Sequence, residues 1–177
     1  MSERDQLKVR NFEVVTISLT VERKIPDDAA LIVVVAPHKP FTRAEQELLR
    51  QYLGAGAGRL LLMLEPGERV SELGLLDLLD DWSVLVDDDR IFDTGKENVA
   101  EDGDLLIHAY QAHPIMDSLK EGKLWLQFGA TRSLRPLPFQ TGNAGLTVST
   151  LAATSPNAWG EMKYRDPSRS EERRVGK

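Results

Sequence analysis

The sequence predicts an α/β domain built on a mainly parallel sheet with flanking helices. Two apolar runs carry that expectation, Leu31–Ala36 (LIVVVA) and Leu60–Leu64 within RLLLML. Unbroken runs of this kind suit strands covered on both faces, as in the centre of a parallel sheet. A third observation is the single amphipathic helix between them. Two such strands joined through one helix form a βαβ crossover, for which the right hand is the rule.

Phe12–Leu19 (FEVVTISL) is rich in β-branched residues and predicts an opening strand. Pro26-Asp27-Asp28 marks a turn, and Pro37-His38-Lys39-Pro40 ends the first apolar run. Thr42-Arg43-Ala44-Glu45 has the spacing of a capping box, in which hydroxyl and carboxylate each satisfy the other residue's amide. Behind it Leu48, Leu49, Tyr52 and Leu53 fall on one helical face. The glycine-rich Gly54–Gly58 stops that helix. After the second run, Glu65-Pro66-Gly67 is a turn. Ser71–Asp81 predicts a helix with Leu75, Leu76, Leu79 and Trp82 inward, and Ser83–Val86 a short strand. The order so far is β-β-α-β-α-β. Beyond Asp93 the pattern weakens. A loop over Thr94–Gly103, a strand at Leu105–His108, a helix from His113-Pro114 to Leu119, and strands at Leu124–Phe128 and Leu146–Leu151 are expected, with Pro136, Pro138 and Gly142 as breaks. A single domain spans residues 1–167. Residues 168–177 (SRSEERRVGK) lack periodicity and are set aside as a disordered or non-native tail.

Composition narrows the chemistry. With 177 residues and 41% hydrophobic content, the chain can bury a substantial core, so disorder is not the expectation. A net charge of −6 and the lack of a basic stripe argue against nucleic acid as a partner. The absence of cysteine excludes a disulfide framework, a cysteine-based zinc site and a thiol nucleophile. Met1–Arg10 does not read as a signal peptide, and no apolar run approaches the roughly 20 residues of a spanning helix.

A catalytic reading needs a nucleophile, a base and an orienting group. His108 and His113 are five apart in a non-helical region and do not form a helical metal pair. No G-x-S-x-G elbow is present. Gly54–Gly58 precedes a strand and has no following Lys-Ser or Lys-Thr, so it is not a phosphate loop. Asp87-Asp88-Asp89 lacks the spacing of a calcium loop and is expected to be a solvated turn. The sequence thus predicts no catalytic residue, no metal site and no cofactor. One site expectation remains. Ligands of open α/β sheets bind outside the carboxyl ends of the strands. If the two apolar runs are parallel neighbours, that edge gathers His38, Lys39, Glu65 and Glu68 into a polar crevice for a small ligand.

LIVVVAPHKPFTRAEQELLRQYL (Leu31–Leu53), RLLLMLEP (Arg59–Pro66), HPI (His113–Ile115), FGATRSL (Phe128–Leu134) and TSPNAWGE (Thr154–Glu161) occur in this order. Together they resemble the auxiliary, substrate-binding-like domain of gliding-motility-type ABC transporter components, over roughly residues 10 to 165. That domain type is similar to one in an intraflagellar transport protein. Both look like relatives of the flavodoxin-like, class I glutamine-amidotransferase-like fold. The resemblance implies a non-catalytic domain at the extracytoplasmic, periplasmic face of the inner membrane, anchored by flanking membrane helices, with an ABC permease and ATPase as partners. Against the family pattern, the chain lacks the first strand and helix and reads as an N-terminally truncated fragment. Gly54–Gly58 also replaces a tighter Gly-Gly turn. Two other readings stay open. One is a hydrolase or transferase using the strand-edge crevice; the other is a structural protein-interaction domain.

Overall fold

A computed structural model of the chain describes residues 7–56, 58–137 and 146–166. The expected breaks at Pro138 and Gly142 and the tail over residues 168–177 lie outside the described residues. The chain forms two compact units. One comprises residues up to Val33 with Phe41–Leu61; the other comprises Val34–Pro40 with residues from Leu62 onward.

The first unit is organised by α2 (Arg43–Gly54), preceded by the single turn α1 (Leu19–Glu22). The capping box forms as its sequence requires. The Thr42 hydroxyl accepts from Glu45 N at 3.3 Å, and Thr42 N donates to Glu45 Oε2 at 2.8 Å. Thr20 Oγ1 also donates to the Glu45 carboxylate. These hydrogen bonds, that of Thr20 foremost, hold the Glu45 carboxyl below its ordinary value of 4.5. Leu49 is buried, and Leu48, Tyr52 and Leu53 on the same face are half-buried. Gln46 is buried too, with Nε2 donating to Phe41 O at 3.2 Å. Tyr52 fastens the far end: its hydroxyl donates to Ala29 O at 3.0 Å and accepts from Arg59 N at 3.2 Å.

The two apolar runs become β1 (Ile32–Val35) and β2 (Leu60–Met63), hydrogen-bonded to one another. Ile32 N donates to Arg59 O and Ala36 N to Met63 O, both at 2.9 Å. Partner numbers rise together, so the pair is parallel, as the single intervening helix requires. The expectation that both strands are central is overturned. They form a two-stranded sheet in which residues alternate between half-buried and exposed. Val33, Val35, Leu61 and Met63 are exposed, Val35 to 62%. An apolar run reports strand propensity on both faces of the chain, but it does not count how many strands will add.

The predicted opening strand is also absent. Residues 12–18 are irregular and Leu19 starts α1. The β-branched residues there join no strand pair among the described residues, and strand preference alone does not make a strand.

The second unit holds α3 (Leu76–Asp81), β3 (Val84–Val86), β4 (Arg90–Phe92), β5 (Leu105–Ile107), β6 (Ala109–Tyr110), α4 (Pro114–Glu121), β7 (Leu126–Phe128), β8 (Leu134–Pro136), β9 (Ala152–Ala153) and β10 (Trp159–Glu161). A single 3₁₀ turn, Lys96–Asn98, lies before β5. Among the described residues these strands form antiparallel pairs: β3 with β8, β4 with β10, β5 with β7 and β6 with β9. A mainly parallel, flavodoxin-like or amidotransferase-like sheet is therefore not the fold of this chain, whose described residues form one parallel pair and otherwise small antiparallel ones. The reason lies in the connections. Parallel neighbours need a long crossover, and beyond β2 the short strands pair with distant segments running the opposite way.

The helix expected over Ser71–Asp81 is shorter, because Gly74 takes φ 67° and interrupts it before Leu76. Its core side is Leu75 and Leu78, with Val70 and Leu73 from the preceding turns; Leu76, expected inward, is exposed. The strand expected at Leu146–Leu151 does not form, and the strand there is Ala152–Ala153. In α4 the His113 ring accepts from Ile115 N at 3.3 Å, which makes this histidine an N-cap followed by Pro114 at the first helical position.

Candidate functional site

The parallel register carries the chain out of β1 and β2 side by side. Ala36, with φ 42°, and Pro37 turn the first exit, and Leu64 continues the second. His38 and Glu65 thereby become neighbours, with His38 Nε2 at 3.5 Å from Glu65 Oε1. Their side chains are 68% and 51% exposed, so this is a solvated pair. Together with Pro37, Leu64, Gly67, Glu68 and Leu73 they line a cavity of about 170 Å³ in the second unit. The structure therefore brings together His38, Glu65 and Glu68, three of the four residues expected at this edge. Lys39 is exposed and does not line the cavity.

The loop bearing the two glutamates is tied from below and behind. Arg132, only 4% exposed, uses Nη2 to donate to Glu65 O at 2.8 Å and Glu68 O at 2.7 Å. Gly67 N donates to the Tyr164 hydroxyl at 3.1 Å, and Arg165 Nε donates to Gly67 O at 2.8 Å. Arg165 also meets Asp88 with two nitrogens, at 3.0 and 2.7 Å. That fork holds the Asp88 carboxyl below its ordinary 3.8; burial opposes the shift, and the charges of Arg165, Arg132 and Arg69 add to it.

Asp87-Asp88-Asp89, expected as a solvated turn, is instead three separate anchors. Asp87 takes a fork from Arg135, 2.9 Å to each oxygen, which lowers its carboxyl pKa. Asp88 takes Arg165. Asp89 is buried and accepts from Ser133 N at 2.9 Å and Ser133 Oγ at 2.8 Å. Sequence reading missed Arg132, Arg135, Tyr164 and Arg165. The signal was present for Arg132 alone, as the one charge inside FGATRSL.

Chemically the crevice offers an imidazole beside a carboxylate, a second glutamate and apolar walls from Leu64 and Leu73. It can donate hydrogen bonds to a small polar ligand or accept them from it, and among the described residues its lining contains no hydroxyl or amine side chain. Among the described residues no cluster of three or more His, Asp or Glu is suited to a metal ion. No helix among them is long and apolar enough to cross a membrane.

Comparison with known proteins adds the context. No curated protein matches the chain at a significant level. Among solved structures, the mmIFT52 N-terminal domain is similar, with a TM-score of 0.65 and 17% identity over 88% of this chain and 70% of that one. At that identity the likeness is one of fold, and it bears out at that level the expected similarity to an intraflagellar transport domain. A family model described as "ABC-type uncharacterized transport system" matches residues 3–175. That match spans nearly the whole sequence, and the chain accordingly belongs to this family of auxiliary components of ABC-type transport systems.

Proposed function

We propose that the chain is a non-catalytic, extracytoplasmic binding or assembly module of a gliding-motility-type ABC transport system. The family match over residues 3–175 carries this reading. In it the domain works at the periplasmic face beside a permease and an ATPase, and the crevice of His38, Glu65 and Glu68 takes a small polar ligand. Lys39, next in the chain to His38, is a solvated cation outside its lining. The test has two arms. Co-expression of the complete protein with the adjacent permease and ATPase should yield a complex that survives purification, and a reporter fused to this domain should score on the periplasmic side. A cytoplasmic reporter signal or the absence of any complex argues the reading down. The pairing of His38 with Glu65 at 3.5 Å favours one other reading, a hydrolase or transferase using them as acid and base. A screen against esters, amides, phosphates and glycosides decides between the two. Turnover that disappears in both His38→Ala and Glu65→Gln replaces the binding module with the enzyme.

A further inference from the structure

Two segments of the chain have the composition of strands and form none. Phe12–Ser18 (FEVVTIS) and Leu146–Leu151 (LTVSTL) are rich in Val, Ile and Thr. Both lie outside every helix and strand pair among the described residues. Neither contains a residue with positive φ, so no left-handed position turns either of them.

Their backbones are open as well. Glu13, Val15, Thr16 and Ile17 make no hydrogen bond among the described residues, and neither do Thr147, Val148, Ser149 and Thr150. Leu151 O accepts from Gln111 N at 2.9 Å, which ties the second segment to the residue after β6. Ser149 and Thr150 are exposed, so the open groups can be reached. Unpaired N–H and C=O groups along such a segment are a template for another strand. Residues 148–151 also line a cavity of about 520 Å³ in the second unit, together with Val84, Leu105, Ile107 and Phe128. An edge beside an apolar cavity calls for an extended apolar peptide, whose main chain makes the ladder and whose alternate side chains fill the space. Phe12–Ser18 has that chemistry, with Phe12 54% and Val15 65% exposed.

We propose that two copies of this chain associate by strand addition, with Phe12–Ser18 of one copy pairing along Leu146–Leu151 of the other. Made in both directions, the exchange closes a two-fold dimer in which the same junction occurs twice. The pairing goes beyond the transport reading and rests neither on it nor on the His38 crevice.

Sedimentation equilibrium of the full chain tests it. The average mass should rise with concentration toward that of two chains. Val15→Pro spoils the donor and Thr150→Pro the edge, because proline has no N–H for a ladder. Each should weaken self-association about tenfold or more. Neither N–H is used within the described residues, so both variants should fold, with urea midpoints as the check. A mixture of the two should associate more tightly than either alone, since one brings an intact edge and the other an intact donor. The chain has no cysteine, so disulfide trapping reads the contact directly. When Glu13→Cys, Val15→Cys and Ile17→Cys chains are each mixed with a Thr150→Cys chain, at least one mixture should cross-link faster than either of its members alone. A mass fixed at one chain at every concentration, self-association unchanged by both proline variants, or no such cross-link in any of the three mixtures overturns the proposal.

Discussion

The β1–α2–β2 crossover and the antiparallel pairs that begin at β3 use strands of similar length but are specified over different distances. In the crossover the decisive contacts are local. Thr42 and Glu45 cap α2 across three residues, and Tyr52 reaches Arg59 across seven. In the second region the partners are remote: Asp89 finds Ser133 44 residues on, Asp87 finds Arg135 48 on, and Asp88 finds Arg165 77 on. Short-range patterns write the first region into the sequence. The second becomes visible only once the chain has closed long loops, whose cost must be met by many contacts at once.

Removing core packing should be the most damaging way to probe each region. Leu49 in α2 and Leu78 in α3 are each 1% exposed. Leu49→Ala and Leu78→Ala should each cost about 3 kcal/mol in urea unfolding, from lost burial and the cavity left behind. Losses below about 1 kcal/mol in either would mean that its surroundings collapse freely. Hydrogen exchange should show the weakening of Leu49→Ala concentrated in α2.

The remote contacts can be attacked without touching a side chain that makes them. A methyl group placed on Gly160 would collide with the Asp89 carboxylate. That carboxylate cannot swing away without breaking both bonds to Ser133. Gly160→Ala should therefore destabilise by about 2 kcal/mol. An unchanged urea midpoint would remove Asp89 from its role as an anchor.

The local contacts predict a smaller loss. Thr42→Ala removes the cap hydroxyl and should cost about 1 kcal/mol, with Thr42→Ser recovering most of it. Equal stability of Thr42→Ala and the parent chain would show that the box is geometric only.

Acid should produce the mildest difference. Asp87 and Asp88 have carboxyl groups held below 3.8 by Arg135 and Arg165. A carboxylate depressed in the folded state stabilises fully above its unfolded value. That contribution is lost as pH falls below 3.8 and through the folded value. Urea midpoints should drop as pH is lowered through this window, and less so in a chain carrying Arg135→Gln and Arg165→Gln. Because these pairs are partly solvated the effect is modest. An identical drop in both chains would assign the acid sensitivity elsewhere.

At the candidate site the same division holds. The exits of β1 and β2 were legible, because two apolar runs and one capped helix imply a parallel pair whose ends lie together. In the structure His38, Glu65 and Glu68 line one cavity, and Lys39 is not part of that lining. Arg132 stands out in the sequence as the one charge inside FGATRSL, but its tie to a carbonyl 67 residues back in the chain was not legible there.

By itself the sequence determined α2 with its cap and buried face, the two neighbouring parallel strands, and α4 with His113-Pro114 at its start. The helices rest on hydrogen bonds and side-chain periodicity within a turn or two, and the strand pair on two apolar runs joined by one capped helix. Only the tertiary structure decided that the parallel sheet stops at two strands, that Phe12–Leu19 forms no strand, and that the acidic run is three anchors. Strand count and ion-pair choice depend on which distant segment arrives alongside. A β-branched run or an aspartate carries the capacity to pair but no address for its partner.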